Sequence, residues 1–70
     1  MNRGGPLTRT LLAYAEVDLN AKAAAEALLI HVNTAHYRLA RIADKTGCDL
    51  RRLPDVIDLV IAIRLYEGQP

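Results

Sequence analysis

The strongest constraint on this chain is the spacing of Ala35, Leu39 and Ile42 within residues 30–45, where most other side chains carry charge or can hydrogen-bond. Apolar positions at steps of three and four make one stripe of an α-helix. The stretch therefore folds as a helix that buries one edge and leaves the remainder to water. On a helical wheel the side opposite the stripe collects Asn33, Tyr37, Ala40 and Arg41, with Thr34 and His36 on its shoulders. At ~15 residues and ~1.5 Å per residue such a helix is ~22 Å long.

Whatever packs on that buried edge must come from a short chain. Seventy residues give one domain at most, for which burial on folding is only just sufficient unless helices pack well or chains associate. Just over half the residues are hydrophobic, yet Phe and Trp are absent and the apolar content is mostly Leu, Ala, Ile and Val. That is the composition of a helical bundle, not a sheet. The expected fold class is all-α: a small four-helix domain over residues 7–66, after a flexible lead-in (1–6) and before a tail (67–70).

Taken in order, Gly4-Gly5-Pro6 suits the approach to a helix with Pro in its first turn. Leu7, Leu11, Tyr14 and Ala15 then share one face of a first helix ending near Val17 or Asp18. Asn20 can cap a second helix, and Ala21 to Leu28 is nearly all strong helix former. Its alanines allow a crossing helix to approach closely, with Ala25 as the expected crossing point. His31 or Asn33 can cap the third helix, and Gly47 can end it in the left-handed conformation. Pro54-Asp55 opens a fourth helix whose core face is Val56, Leu59, Val60 and Ile63. Ile57, Ile61 and Leu65 form a second apolar edge on that helix. One small core has no room for both edges, so this one is expected to meet another chain or a preceding domain.

Two helices joined by so short a turn, the first alanine-rich and the second polar-faced, make a helix-turn-helix from the second and third helices. Asn, Tyr, Arg and His are side chains that read base edges or hold phosphates, and here one helix surface presents all four. The net charge of +1 says little, but its distribution says more. Residues 36–52 hold five cations, Arg38, Arg41, Lys45, Arg51 and Arg52, against Asp44 and Asp49, a local +3, whereas residues 1–35 cancel. The candidate DNA-contacting residues are accordingly Lys22, Asn33, Thr34, His36, Tyr37, Arg38, Arg41, Lys45, Arg51 and Arg52. Lys22 earns its place at the start of the second helix, where free backbone amides can meet a phosphate.

Each of these has a plainer reading. The polar face could be solvated and touch nothing, Thr34 could satisfy backbone, and the Arg38 stem could pack along the core. His31 and His36, five apart, fall on different faces and do not form a metal pair. Cys48 alone cannot form an internal disulfide and reads as a small buried residue at a helix end. There is no Gly-rich phosphate loop and no nucleophile–base arrangement, so neither an enzyme nor a cofactor is expected. The longest fully apolar run, Leu59 to Ile63, is too short to span a bilayer, and a cytoplasmic setting is the simple expectation.

From Ala24 to Ile42 the sequence resembles the C-terminal helix-turn-helix of the PucR and sugar-diacid-regulator family of bacterial transcription factors. The resemblance is carried by the small residues and Leu before the turn, His31, Asn33-Thr34, Tyr37-Arg38-Leu39, Arg41-Ile42, Thr46-Gly47 and Asp49-Leu50, and it continues through the fourth helix to Leu65. The same core is also similar, more loosely, to the Fis-like helix-turn-helix. The resemblance implies a regulator that binds double-stranded DNA, acts as a dimer, carries other domains upstream and catalyses nothing. Val32, His36 and Ala40 stand where the family pattern favours basic residues, and Ala35 where a larger core residue is usual. The alternative is a helical protein-interaction or dimerisation module with a degenerate helix-turn-helix, working through Ile57, Ile61 and Leu65.

Overall fold

A computed structural model describes residues 5–67, with side chains to Leu65, and within them the chain forms four helices: α1 (Gly5–Glu16), α2 (Ala21–Leu28), α3 (Val32–Thr46) and α4 (Leu53–Glu67). The all-α class and the helix-turn-helix of α2 and α3 are as the sequence implies. Most of the expected lead-in, residues 1–4, and most of the tail, residues 68–70, lie outside the described residues.

Local chemistry explains where the helices begin and end. α1 starts at Gly5, earlier than Leu7, with Pro6 in its first turn, where a missing N–H costs nothing. It stops at Glu16, slightly before the expected Val17 or Asp18, because Asp18 and Leu19 both adopt left-handed backbone (φ 59° and 63°). Asn20 caps α2, its side chain accepting from the Ala23 N–H at 3.0 Å. Leu29 ends α2 in the left-handed region (φ 60°), and the next N–H, that of Ile30, closes on the Ala25 carbonyl at 3.0 Å. His31, not Asn33, caps α3: His31 Nδ1 accepts from the Asn33 N–H at 3.0 Å. Gly47 (φ 73°) ends α3 with its N–H on the Ala43 carbonyl at 2.8 Å, a conformation glycine adopts without penalty.

Leu11, Tyr14, Ala24, Leu39, Ile42, Leu50 and Val56 form the buried core, with Leu7, Ala15, Leu59, Val60 and Ile63 half-buried against it. Ala35 lies on the same stripe of α3 as Leu39 and Ile42 and is completely buried, as is Ala24 on α2; side chains this small let α2 and α3 come close. Ala24 joins the core cluster, while Ala25, the expected crossing point, is buried beside it. α1 is the hub, packing on α2, α3 and α4, whereas α4 packs on α1 alone among the helices. Thr10 is a polar member of the interior. Its hydroxyl donates to the Pro6 carbonyl at 2.7 Å, so burial leaves no orphaned group. Cys48, expected to be buried, is only half-buried.

Candidate nucleic-acid interface

The face of α3 away from the core is built by subtraction. Because Ala35, Leu39 and Ile42 are drawn into the interior, the opposite residues Asn33, His36, Tyr37, Ala40, Arg41 and Asp44 are all exposed, and Tyr37 is 62% exposed. None of the side chains of Asn33, His36, Tyr37 or Arg41 is committed to a hydrogen bond among the described residues. Their donors and acceptors therefore stand ready for an external partner, on a helix clamped at one end by His31 and at the other by Gly47.

Beside this face runs an open groove of about 980 Å³. One wall is the Val32–His36–Ala40 edge of α3. The rest of the lining includes the Asn20–Lys22 start of α2 and Cys48 to Arg51 of the connector between α3 and α4, residues 47–52. The fold thus brings Lys22, His36 and Arg51, far apart in sequence, onto one concave surface. Thr34 and Arg38 lie on the other shoulder of α3 and are half-buried, which fits an Arg38 stem lying along the protein surface. Lys45 is exposed near the end of α3, and Arg52 is exposed on the connector but does not line the groove. At the start of α2 one first-turn amide, that of Ala23, is already taken by Asn20.

The connector is stitched to the body by its own polar groups. Tyr14 donates from its hydroxyl to the Leu50 carbonyl at 2.8 Å, and the Asp49 N–H donates to Asp55 Oδ2 at 2.8 Å. Asp49 in turn accepts from both the backbone N–H (2.9 Å) and the Nε (3.2 Å) of Arg51. The Arg51 side chain and then its backbone N–H hold the Asp49 carboxyl below its ordinary range, and Asp49 raises Arg51 in return. Burial, followed by the charge of Asp49, pushes the Tyr14 phenol up, partly offset by Arg51. Arg51–Asp49 is the one ion pair among the described residues, so Lys22, Arg38, Arg41 and Lys45 contact no carboxylate there, while the Arg52 charge acts on Asp49 without forming an ion pair.

Sequence reasoning located the polar face but missed the groove. Asp18 and Leu19 form part of its lining, and only the left-handed turn they adopt, invisible to periodicity, places them there. Ile57 (46% exposed), Ile61 (52%) and Leu65 (66%) lie outward on α4, and Leu53 (55%), one turn before Ile57, extends the same edge. Among the described residues no cluster of His, Cys, Asp and Glu could hold a metal ion, and no helix is long and apolar enough to cross a membrane.

A short three-residue turn between α2 and α3, a buried small-residue contact and an outward polar helix define a helix-turn-helix DNA-binding domain of the transcription-regulator class. The chain belongs to the PucR C-terminal helix-turn-helix domain family, whose model matches residues 7–65. It is 42% identical over 67 residues, 96% of its length, to the carbohydrate diacid regulator of Escherichia coli (strain K12). It is also 36% identical over 59 residues, 84% of its length, to the DNA-binding transcriptional activator AdeR of Bacillus subtilis (strain 168), and 37% identical over 57 residues, 81% of its length, to the uncharacterized protein YsfB of that organism. The chain spans only 17%, 14% and 16% of those three proteins, respectively. No solved structure matches it significantly.

Proposed function

We propose that this domain binds duplex DNA sequence-specifically, with α3 in the major groove. The observation that carries the reading is the outward face of α3, where Asn33, His36, Tyr37 and Arg41 expose hydrogen-bonding groups that the described residues leave unused. Arg41, Tyr37 and Asn33 are the base-edge candidates. Lys22, Arg38, Lys45, Arg51 and Arg52 supply charge for the flanking phosphates, with Thr34 and His36 at the border. The groove beside α3 lets Lys22 and Arg51 approach the backbone on one side of the helix, consistent with α2 crossing the phosphates. The reading needs no cofactor, and it places the protein in the cytoplasm, where a bacterial chromosome is reached.

Dimerisation belongs to the same proposal. The ridge of Ile57, Ile61 and Leu65 on α4 is a surface for a second copy or for an upstream domain of the parent chain. A symmetric pair would read two half-sites about one helical turn, ~34 Å, apart, or a multiple of it.

Salt dependence tests the DNA reading. If Z phosphates are neutralised, the logarithm of affinity falls against the logarithm of salt with a slope of about −0.9Z. A duplex that binds at low salt with a slope of at least a few units supports the reading, and undetectable binding at low salt defeats it. The outward α4 ridge favours one second reading, a protein-interaction module. Tyr37→Ala and Arg41→Ala separate the two, since only a DNA binder loses function with them.

A further inference from the structure

The distribution of side-chain types along α3 carries a finer consequence, which rests on the DNA reading above. In helix-turn-helix docking the N-terminal part of the second helix reaches base edges. The most frequent specific contact is Arg or Lys to guanine, yet from Val32 to Tyr37 α3 has neither. Its cations begin at Arg38, which is half-buried on the far shoulder, and continue at Arg41 and Lys45 in the later turns. The groups turned outward over the first turns and the middle of the helix are Asn33, His36, Tyr37 and Ala40; among them an amide, Asn33, and a methyl, Ala40, lie one above the other at seven residues' spacing, with Tyr37 between them.

We propose that the first turns and middle of α3 read A·T pairs, with the Asn33 carboxamide paired to an adenine edge and the Ala40 methyl packed on a thymine 5-methyl. Asn33 is pre-positioned for this role. Its backbone N–H is held by His31 Nδ1 at 3.0 Å, while its carboxamide is exposed and makes no hydrogen bond among the described residues. An amide offers one acceptor and one donor to adenine N7 and N6 at once, a pairing guanine cannot accept in the same register. Ala40 is exposed at the middle of the face between Tyr37 and Arg41, where a longer basic side chain would reach past a methyl instead of packing on it. Alanine against the thymine methyl is one of the few apolar contacts the major groove provides. Arg41, one residue on, is left for a guanine or a phosphate at the edge of the A·T core.

The experiment enriches randomised duplexes on the 70-residue chain at low salt and measures the enriched duplex by fluorescence anisotropy. 2′-Deoxyuridine then replaces thymidine, and 7-deaza-2′-deoxyadenosine replaces deoxyadenosine, one position at a time. These changes are made in the DNA, so they cannot unfold the protein. Loss of the contacted methyl is expected to weaken binding about fourfold, and loss of the contacted N7 about fivefold or more. Asn33→Ala should remove the sensitivity to the missing N7, and Ala40→Gly, with helicity checked by circular dichroism, the sensitivity to the missing methyl. An enriched duplex that binds tightly but ignores both base changes, or a core of G·C pairs, would overturn the assignment while leaving DNA binding intact. Enrichment of nothing at all would overturn the DNA reading and this assignment with it.

Discussion

The hydroxyl of Tyr14 on α1 donates to the backbone carbonyl of Leu50 at 2.8 Å, across 36 residues of sequence. Leu50 is itself buried, in the connector that carries Asp49 and Arg51. Together with the Asp49 N–H bond to Asp55, this side chain anchors the connector, and with it the part of the groove lining that Asp49, Leu50 and Arg51 supply.

Tyr14→Phe keeps the ring in the core and leaves a buried carbonyl without its donor. The expected cost is about 1 kcal/mol, which for a domain of this size lowers the melting temperature by roughly 4–8 °C. The same residue sets an alkaline limit. Its phenol is raised above 10.0 in the folded state, chiefly by burial, so the neutral form favours folding. The contribution is complete below the unfolded value and fades as pH rises through the higher folded value. Wild-type stability should fall above about pH 10, and Tyr14→Phe should flatten that decline in urea titrations at stepped pH.

Leu29 ends α2 with φ 60° and is 92% exposed, so it bears left-handed strain with almost no burial in return. Glycine adopts this conformation freely, at some entropic cost to folding because it leaves the unfolded chain with more freedom to lose. Leu29→Gly should raise stability by about 0.5–1 kcal/mol, seen as a higher urea midpoint at unchanged slope. A lower midpoint would mean that the Leu29 side chain makes a contribution its exposure does not reveal.

The outward apolar edge of α4 and the core should respond differently to truncation. Leu11→Ala, at a position 1% exposed, is expected to cost about 2–5 kcal/mol. Ile61→Ala, at 52% exposure, should change the stability of the isolated chain by no more than about 0.5 kcal/mol. If the α4 ridge is an interface, Ile61→Ala should shift sedimentation toward monomer wherever the unaltered chain self-associates, or weaken docking in the longer parent protein.

Much of this architecture was legible in residue spacing. Ala35, Leu39 and Ile42 specified the buried edge of α3, Asn20 and Gly47 marked helix ends, and Val56, Leu59, Val60 and Ile63 gave the inner face of α4. What escaped were features decided by tertiary packing or by single backbone conformations. Leu50 sits in a connector, where no helical period announces that Tyr14 will cover it. Thr10 reads as polar, yet it is completely buried because its hydroxyl returns to its own helix. Leu29 is a large apolar residue, yet as the left-handed residue ending α2 it turns outward. For the interface, sequence identified which side chains share the exposed face of α3. It could not show that Lys22 and Arg51 would flank the same groove, because the connector's path depends on the hydrogen bonds of Tyr14, Asp49 and Asp55.

The central claim is that the outward face of α3 is the surface that meets DNA. The most direct measurement is a backbone amide NMR titration of the 70-residue chain with an enriched duplex at low salt. The account predicts that the largest shifts cluster at Asn33, His36, Tyr37, Ala40 and Arg41, with smaller ones at Lys22 and Arg51 and little change at Ile57 and Ile61. Shifts concentrated on α4, with α3 silent, would contradict it.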